Sequence, residues 1–398
     1  MPDRRYLIPF LSLCLINFVA FFSSYLRLPV MPLYAASLGA DPTRVGIING
    51  AFMLTAGLLS IPAGMLADRL GRKPPIVIGS LAIACSSLLI PICSLPLQMA
   101  GAYVLFGAGL AAFAPAMMSL VADIVPSEKF GQAYGWYTTA GYFAMTIGPA
   151  TGGLLAESVG LRTVFAISGG LTLAVTLTAA ALLPRGRGRH RSELHTILGS
   201  SMVLLRNHHL QACLLATVGS CIGYGIFLTF LPLSAVSHGL VPGQVGIIFA
   251  AQAMTNVISR IPIGTVADKV DRRWIVAAGL IVLSLALGGL GGTDQLAAML
   301  VCAVVLGIGM ALIYTAVGAL IAEQVPPVQR GLAMGMYHSC VFLGMMAGAT
   351  TIGIALKRIS FSTGYLAGGG MGLCTLLGFI ALSRSQRGQP PLSSAPEP

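Results

Sequence analysis

The chain has 398 residues, 56% of them hydrophobic and only 9% charged, with a net charge of +11. Soluble domains average about a quarter charged residues, so this balance excludes a water-soluble fold for most of the chain and places it in lipid. At about 20 residues per crossing plus short loops, the length holds close to twelve membrane-spanning helices.

The apolar runs predict spans at 7–30, 44–67, 75–96, 98–122, 131–157 and 162–184, then at 209–233, 243–267, 273–293, 296–322, 331–356 and 362–383. Between the two groups lies the polar stretch Pro184-Arg-Gly-Arg-Gly-Arg-His-Arg-Ser-Glu. The expected class is an all-α membrane protein. Its organisation is a six-helix bundle over 1–184, a cytoplasmic linker over 185–208, a second six-helix bundle over 209–384 and a disordered tail over 385–398. The first apolar run is long enough to span, so it reads as a crossing rather than a cleavable signal.

Seventeen of the 23 Lys and Arg residues fall in alternate loops and at the termini. On the opposite side stand only Arg44, Arg162, Lys357 and Arg358. Basic residues stay on the cytoplasmic side, so both termini are expected there. The positive charge is topology, and no nucleic-acid partner is expected. All eight cysteines lie inside apolar runs without a Cys-x-x-Cys pair, which reads as packing. Neither a metal nor a cofactor is expected.

A repeat with an offset of 200 residues runs through the chain without a gap. Pro32, Leu33, Ala35 and Gly39 match Pro232, Leu233, Ala235 and Gly239; Val45-Gly46-Ile47-Ile48 matches Val245-Gly246-Ile247-Ile248. Gly64, Asp68 and Arg72 match Gly264, Asp268 and Arg272, and Gly107 and Gly109 match Gly307 and Gly309. Six spans separate the copies, so the halves have the same topology and are expected to be related by a pseudo-two-fold axis along the membrane normal.

In span 1, Asn17 and Arg27 are polar groups in a lipid setting. Arg27 is near the outer end, where it either faces a substrate or snorkels to the surface. Leu28-Pro29-Val30-Met31-Pro32-Leu33-Tyr34 follows, and proline there stops or kinks the helix whatever the function. Between spans 2 and 3 runs Gly64-Met-Leu-Ala-Asp68-Arg69-Leu-Gly71-Arg72-Lys73, with the partial copy Gly264-Thr-Val-Ala-Asp268-Lys269-Val-Asp271-Arg272-Arg273. Asp68 and Arg72 are four residues apart and can pair across a helical turn. Asp123, at the end of span 4, offers Arg72 a second carboxylate. The repeat reproduces this set as Asp268, Arg272 and Glu323.

Span 5 carries Gly135, Ala144 and Gly148-Pro149-Ala-Thr-Gly152-Gly153. Ala140, Ala144, Gly148 and Gly152 place a small residue at every fourth position, a ridge that lets two helices approach closely. Pro149 adds a kink that neighbouring helices accommodate.

The loop after span 2 resembles the signature loop of the major facilitator superfamily, and span 5 resembles the antiporter motif of its twelve-helix drug:proton exporters. Ala144 stands where that motif usually has glycine. The resemblance implies that the Asp/Arg sets latch the cytoplasmic ends of the bundles together. It also implies that the span 5 ridge seals the opposite side and favours export. Ahead of Gly107, exporters often carry an arginine implicated in proton transfer, where this chain has Tyr103. All twelve Asp and Glu residues lie in loops, tails or helix ends, so proton coupling is implied by resemblance alone.

In the second half, Gln252, Asn256 and Arg260 recur every four residues as one polar stripe, whose repeat counterparts are Phe52, Ala56 and Ser60. His338 lies at comparable depth. Arg260 with His338 and the amides either forms a wall for an anionic solute or stitches helices together. Phe113, Tyr137, Tyr224 and Tyr314 add aromatic surface for an amphipathic ligand, or pack.

The expected function is export of a small organic, amphipathic solute by alternating access, acting as a monomer in a bacterial inner membrane. One alternative is an organic-anion carrier built on Arg260 and His338; another is a non-transporting sensor or scaffold. An intramembrane enzyme is not expected, since no His-Glu-x-x-His, paired carboxylates or nucleophile with a base occurs in any span.

Overall fold

The computed structural model describes residues 7–126, 129–184, 204, 207–267, 269–325 and 330–384. Among them, the side chains of Asp68, Phe130, Ala322, Gln324, Gly331 and Arg384 are outside the description. Asp268, most of the expected linker and the expected tail likewise lie outside the described residues.

The described chain is helical, without strands. The helices are α1 (Leu7–Leu26), α2 (Val30–Ser37), α3 (Pro42–Leu70), α4 (Lys73–Leu89), α5 (Pro96–Ile124), α6 (Phe130–Val159) and α7 (Leu161–Leu182). There follow α8 (His208–Ser237), α9 (Pro242–Ala267), α10 (Arg272–Gly291), α11 (Leu296–Gln324), α12 (Arg330–Ala355) and α13 (Phe361–Arg384). Together α1 and α2 form one apolar crossing, interrupted at residues 27–29.

Among the described residues, eleven crossings are long and apolar enough to span a bilayer by length and composition. The twelfth expected span is α6, which is long enough at 30 residues. Its glycines, threonines and tyrosines dilute its apolar character. Helix starts follow the usual chemistry: Asp41 caps α3 by accepting from the Arg44 amide at 2.8 Å, and Pro42 sits in the first turn. Interior prolines, such as Pro62, Pro115 and Pro149, are tolerated because neighbouring helices re-satisfy the freed carbonyls.

Large apolar side chains such as Ile8, Leu97 and Ile261 are at least three-quarters exposed. That pattern suits a chain whose solvent is lipid.

The chain divides into two compact units, residues 1–191 with 228–253 and residues 192–227 with 254–398. Segment 228–253, which the repeat assigns to the second half, packs with the first. Inside the first unit, α1 packs on α6 and α7, while α4 packs on α5 and α7 and α3 on α5. Inside the second, α10 packs on α11 and α13.

One crossing recurs in both units. A Cβ on Gly79 would lie 2.7 Å from the Gly109 carbonyl oxygen, and one on Gly279 would lie 3.0 Å from that of Gly309. The backbones touch where the repeat keeps glycine, which is how helices without a water-driven hydrophobic force gain packing energy.

Candidate functional site

The expected latch pairs are present in part. The Arg72 Nε donates to Asp123 Oδ2 at 3.3 Å, joining the start of α4 to the end of α5. The matching Arg272 Nη1 pairs with Glu323 Oε1. The turns that present the two arginines differ. Gly71 has φ +83° and ψ 168°, a region open essentially to glycine alone. Its counterpart Asp271 has ordinary φ −55° and caps α10 by accepting from the Arg273 amide at 2.9 Å. Gly64 and Gly264 have open space around them, so neither is held by a close approach.

The ridge on α6 faces α1. A Cβ on Gly148 would lie 2.8 Å from Tyr25 Cβ, and one on Gly152 would fall inside the Leu26 backbone. Ala144 is fully buried, while Gly135 has open space around it. The expectation that this every-fourth-residue ridge closes against the other half therefore needs correcting. The face that meets α9 is the adjacent one: a Cβ on Gly153 would strike the Pro242 carbonyl, and one on Gly246 that of Pro149. A helix turns 100° per residue, so a shift of one position selects a different neighbour.

In the second unit, Asn256 is buried and donates to the Gly307 carbonyl at 3.3 Å, and its Oδ1 accepts from Arg260 Nε at 3.1 Å. The Arg260 guanidinium lies 6.0 Å from the Tyr314 ring, which stands edge-on to Tyr337. His338 is exposed, and its Nδ1 donates to the Met334 carbonyl of its own helix. The structure thus joins Arg260 to Asn256 and Tyr314, with Tyr337 beyond, and gives His338 a local partner. Gln252 is buried within the first unit, and Tyr224 stacks on Phe227. Phe113 and Tyr137 belong to the packed core of the first unit, where the Tyr137 carbonyl accepts from Asn17.

Arg27 does not snorkel: it is 1% exposed. It sits in the turn between α1 and α2, where the Val30 and Met31 amides donate to its carbonyl. Its Nη1 donates to Ser87 at 2.9 Å, and its Cζ lies 3.5 Å from the Phe106 ring centre and 5.5 Å from that of Tyr103. Phe52 packs on both rings. Where the resemblance leads one to expect an arginine on span 4, the structure brings a guanidinium to Tyr103 from span 1.

The sequence reading did not pick out the hydroxyl seam behind this group. Ser87 meets Ser168 at 3.4 Å, Ser168 donates to the Ser23 carbonyl at 2.7 Å, and Ser23 meets Thr172 at 2.7 Å. Further along, Thr176 donates to Ser80 at 3.0 Å. The spacing of Ser168, Thr172 and Thr176 at every fourth residue was the available signal.

The sequence profile of the Major Facilitator Superfamily matches residues 13–233 and 213–398. An MFS-type transporter of Methanocaldococcus jannaschii is 25% identical over 85% of this chain and 88% of its own length. The multi-drug resistance efflux pump PmrA of Streptococcus pneumoniae is 27% identical over 85% of this chain and 87% of its own. Among solved structures, the nucleoside transporter NupG superposes with a TM-score of 0.79 at 15% identity, over 94% of this chain and 99% of that one. The chain belongs to the major facilitator superfamily and is a multi-pass membrane transporter.

Proposed function

We propose that the protein exports a small, amphipathic organic solute across a bacterial inner membrane by alternating access, with both termini in the cytoplasm. The observation that carries this reading is the motif on α6: Pro149 and Gly153 lie backbone against backbone on Gly246 and Pro242 of α9. Two efflux relatives support the direction. Besides PmrA, the quinolone resistance protein NorA of Staphylococcus aureus is 28% identical over 42% of this chain. The paired arginine contacts Arg72–Asp123 and Arg272–Glu323 serve as the latch on the cytoplasmic side.

Every acidic residue lies at a helix end or outside the spans, so no carboxylate stands at mid-membrane depth to carry a proton. An anion wall at Arg260 and His338 has less support, since Nε of the first is engaged by Asn256 and the second is exposed with a partner on its own helix. The test is accumulation of fluorescent amphiphiles in inside-out vesicles. Accumulation above that of vesicles lacking the protein is expected, and uptake only in right-side-out vesicles would sink the export reading.

A further inference from the structure

We propose that Arg27 is the recognition site for a carboxylate on the transported solute. This rests on the export reading and assigns its substrate class, an amphipathic organic acid.

The guanidinium is already engaged on one edge and one face. Its Nη1 is held by Ser87 and its plane is covered by Phe106. The remaining atoms, Nε and Nη2, are buried and have no hydrogen-bond partner among the described residues. Those two nitrogens form the side-on fork that receives both oxygens of a carboxylate in parallel. A cation buried without its anion is strongly unfavourable. Every acidic residue of the chain lies at a helix end or outside the spans and none pairs with Arg27 among the described residues, so the counter-anion is assigned to the ligand.

The depth suits a transported ligand. Arg27, Phe52 and Phe106 each lie ten residues from the end of their span on the membrane face opposite Leu7, namely Ser37, Pro42 and Pro96. Ten residues at about 1.5 Å each is about 15 Å, half the thickness of a bilayer's hydrocarbon core. A lipid headgroup does not reside there, whereas a substrate does. The helix is also interrupted at Arg27, as discontinuous transporter helices are at their binding sites.

The other half shows that the scaffold does not require this cation. At the positions matching Arg27, Phe52, Ser87, Tyr103 and Phe106 it has Phe227, Gln252, Leu287, Ala303 and Leu306, and α8 runs unbroken through Phe227. The aromatic rings around Arg27 supply surface for an apolar body next to the acid group.

The experiment compares binding of 1-naphthaleneacetate and its neutral isostere 1-naphthaleneacetamide to the detergent-purified full chain. Wild type is expected to prefer the acid by at least about tenfold, the loss typical of a missing charge-assisted hydrogen bond. Arg27→Phe, which installs the residue found at 227, and Arg27→Gln should abolish that preference. Arg27→Lys should keep only part of it, because it retains the charge without the fork. No acid preference in wild type, or the same preference in Arg27→Phe, overturns the proposal. So does an equal weakening of both ligands, which marks Arg27 as structural. If the Phe and Gln variants are not monodisperse, Arg27→Lys decides, and an unchanged preference there overturns it.

Export is read separately with a neutral dye in inside-out vesicles. Export without acid preference removes the carboxylate site and leaves the exporter. An acid preference that tracks Arg27 in a protein that exports nothing removes the exporter and leaves the site.

Discussion

The two halves join corresponding helices by different means. In the first, Ser23, Ser168 and Thr172 tie α1 to α7 through buried hydrogen bonds, and Ser87 brings in α4. At the matching positions the second half has Gly223, Gly368, Gly372 and Leu287. There a Cβ on Gly223 would lie 2.6 Å from Leu287 Cδ1, and one on Gly368 would lie 2.7 Å from Ile226 Cδ1. Close approach of small residues and interhelical hydrogen bonding are the two available ways to hold helices in lipid. Only the hydroxyl version leaves a polar anchor for a buried guanidinium, and Arg27 occurs only in that half. The repeat preserves the scaffold, and one cluster of departures from it surrounds Arg27.

The largest effect is expected at the α1–α6 contact. Gly152→Val drives a side chain into the Leu26 backbone, which cannot rotate away, so loss of monodisperse protein on size exclusion is expected. Gly135→Ala on the same helix enters open space and should leave the elution profile unchanged. Next in size are the two turns before α4 and α10. Gly71→Ala forces a side chain into a backbone region nearly exclusive to glycine and should cost about 1–3 kcal/mol. Asp271→Ala removes a helix cap and should cost about 1 kcal/mol, both read by thermal unfolding in matched detergent.

A smaller effect is expected in the hydroxyl seam. Thr172→Val removes the partner of Ser23 and should cost about 0.6–1.7 kcal/mol, the range found for hydrogen bonds between membrane helices. The smallest stability effect belongs to the latches. Asp123→Asn and Glu323→Gln should each change stability by at most about 1 kcal/mol, because the carboxylates are 37% and 50% exposed. As the proposed latch, these two pairs are expected to differ from surface ion pairs in transport. Each should slow vesicle accumulation, and the charge-swapped double variant Arg72→Asp with Asp123→Arg should recover part of it. Wild-type rates in both single variants would refute the latch.

Much of the scaffold is legible in the sequence. The 200-residue offset marked Gly39 and Gly239, which both end a crossing at positive φ, and paired Arg72 with Asp123 as it did Arg272 with Glu323. Such features are local or repeat twice, so one chain carries its own comparison. The site was less legible. Arg260 and His338 share a depth, but helix rotation gives the histidine a partner on its own helix. Phe113 looks like ligand surface in sequence and is core in the fold.

By itself the sequence determined that this chain lives in lipid, how many times it crosses, and that its halves share one topology. Composition and hydropathy act over whole segments, so they survive ignorance of packing. Only the tertiary structure decided which face of each helix meets which neighbour. That choice put the small-residue ridge of α6 on α1. It also buried Arg27, which stands at the helix interruption over 27–29, between Phe106 and Ser87. One residue is 100° of helix, and that angle separates a snorkelling arginine from a buried one.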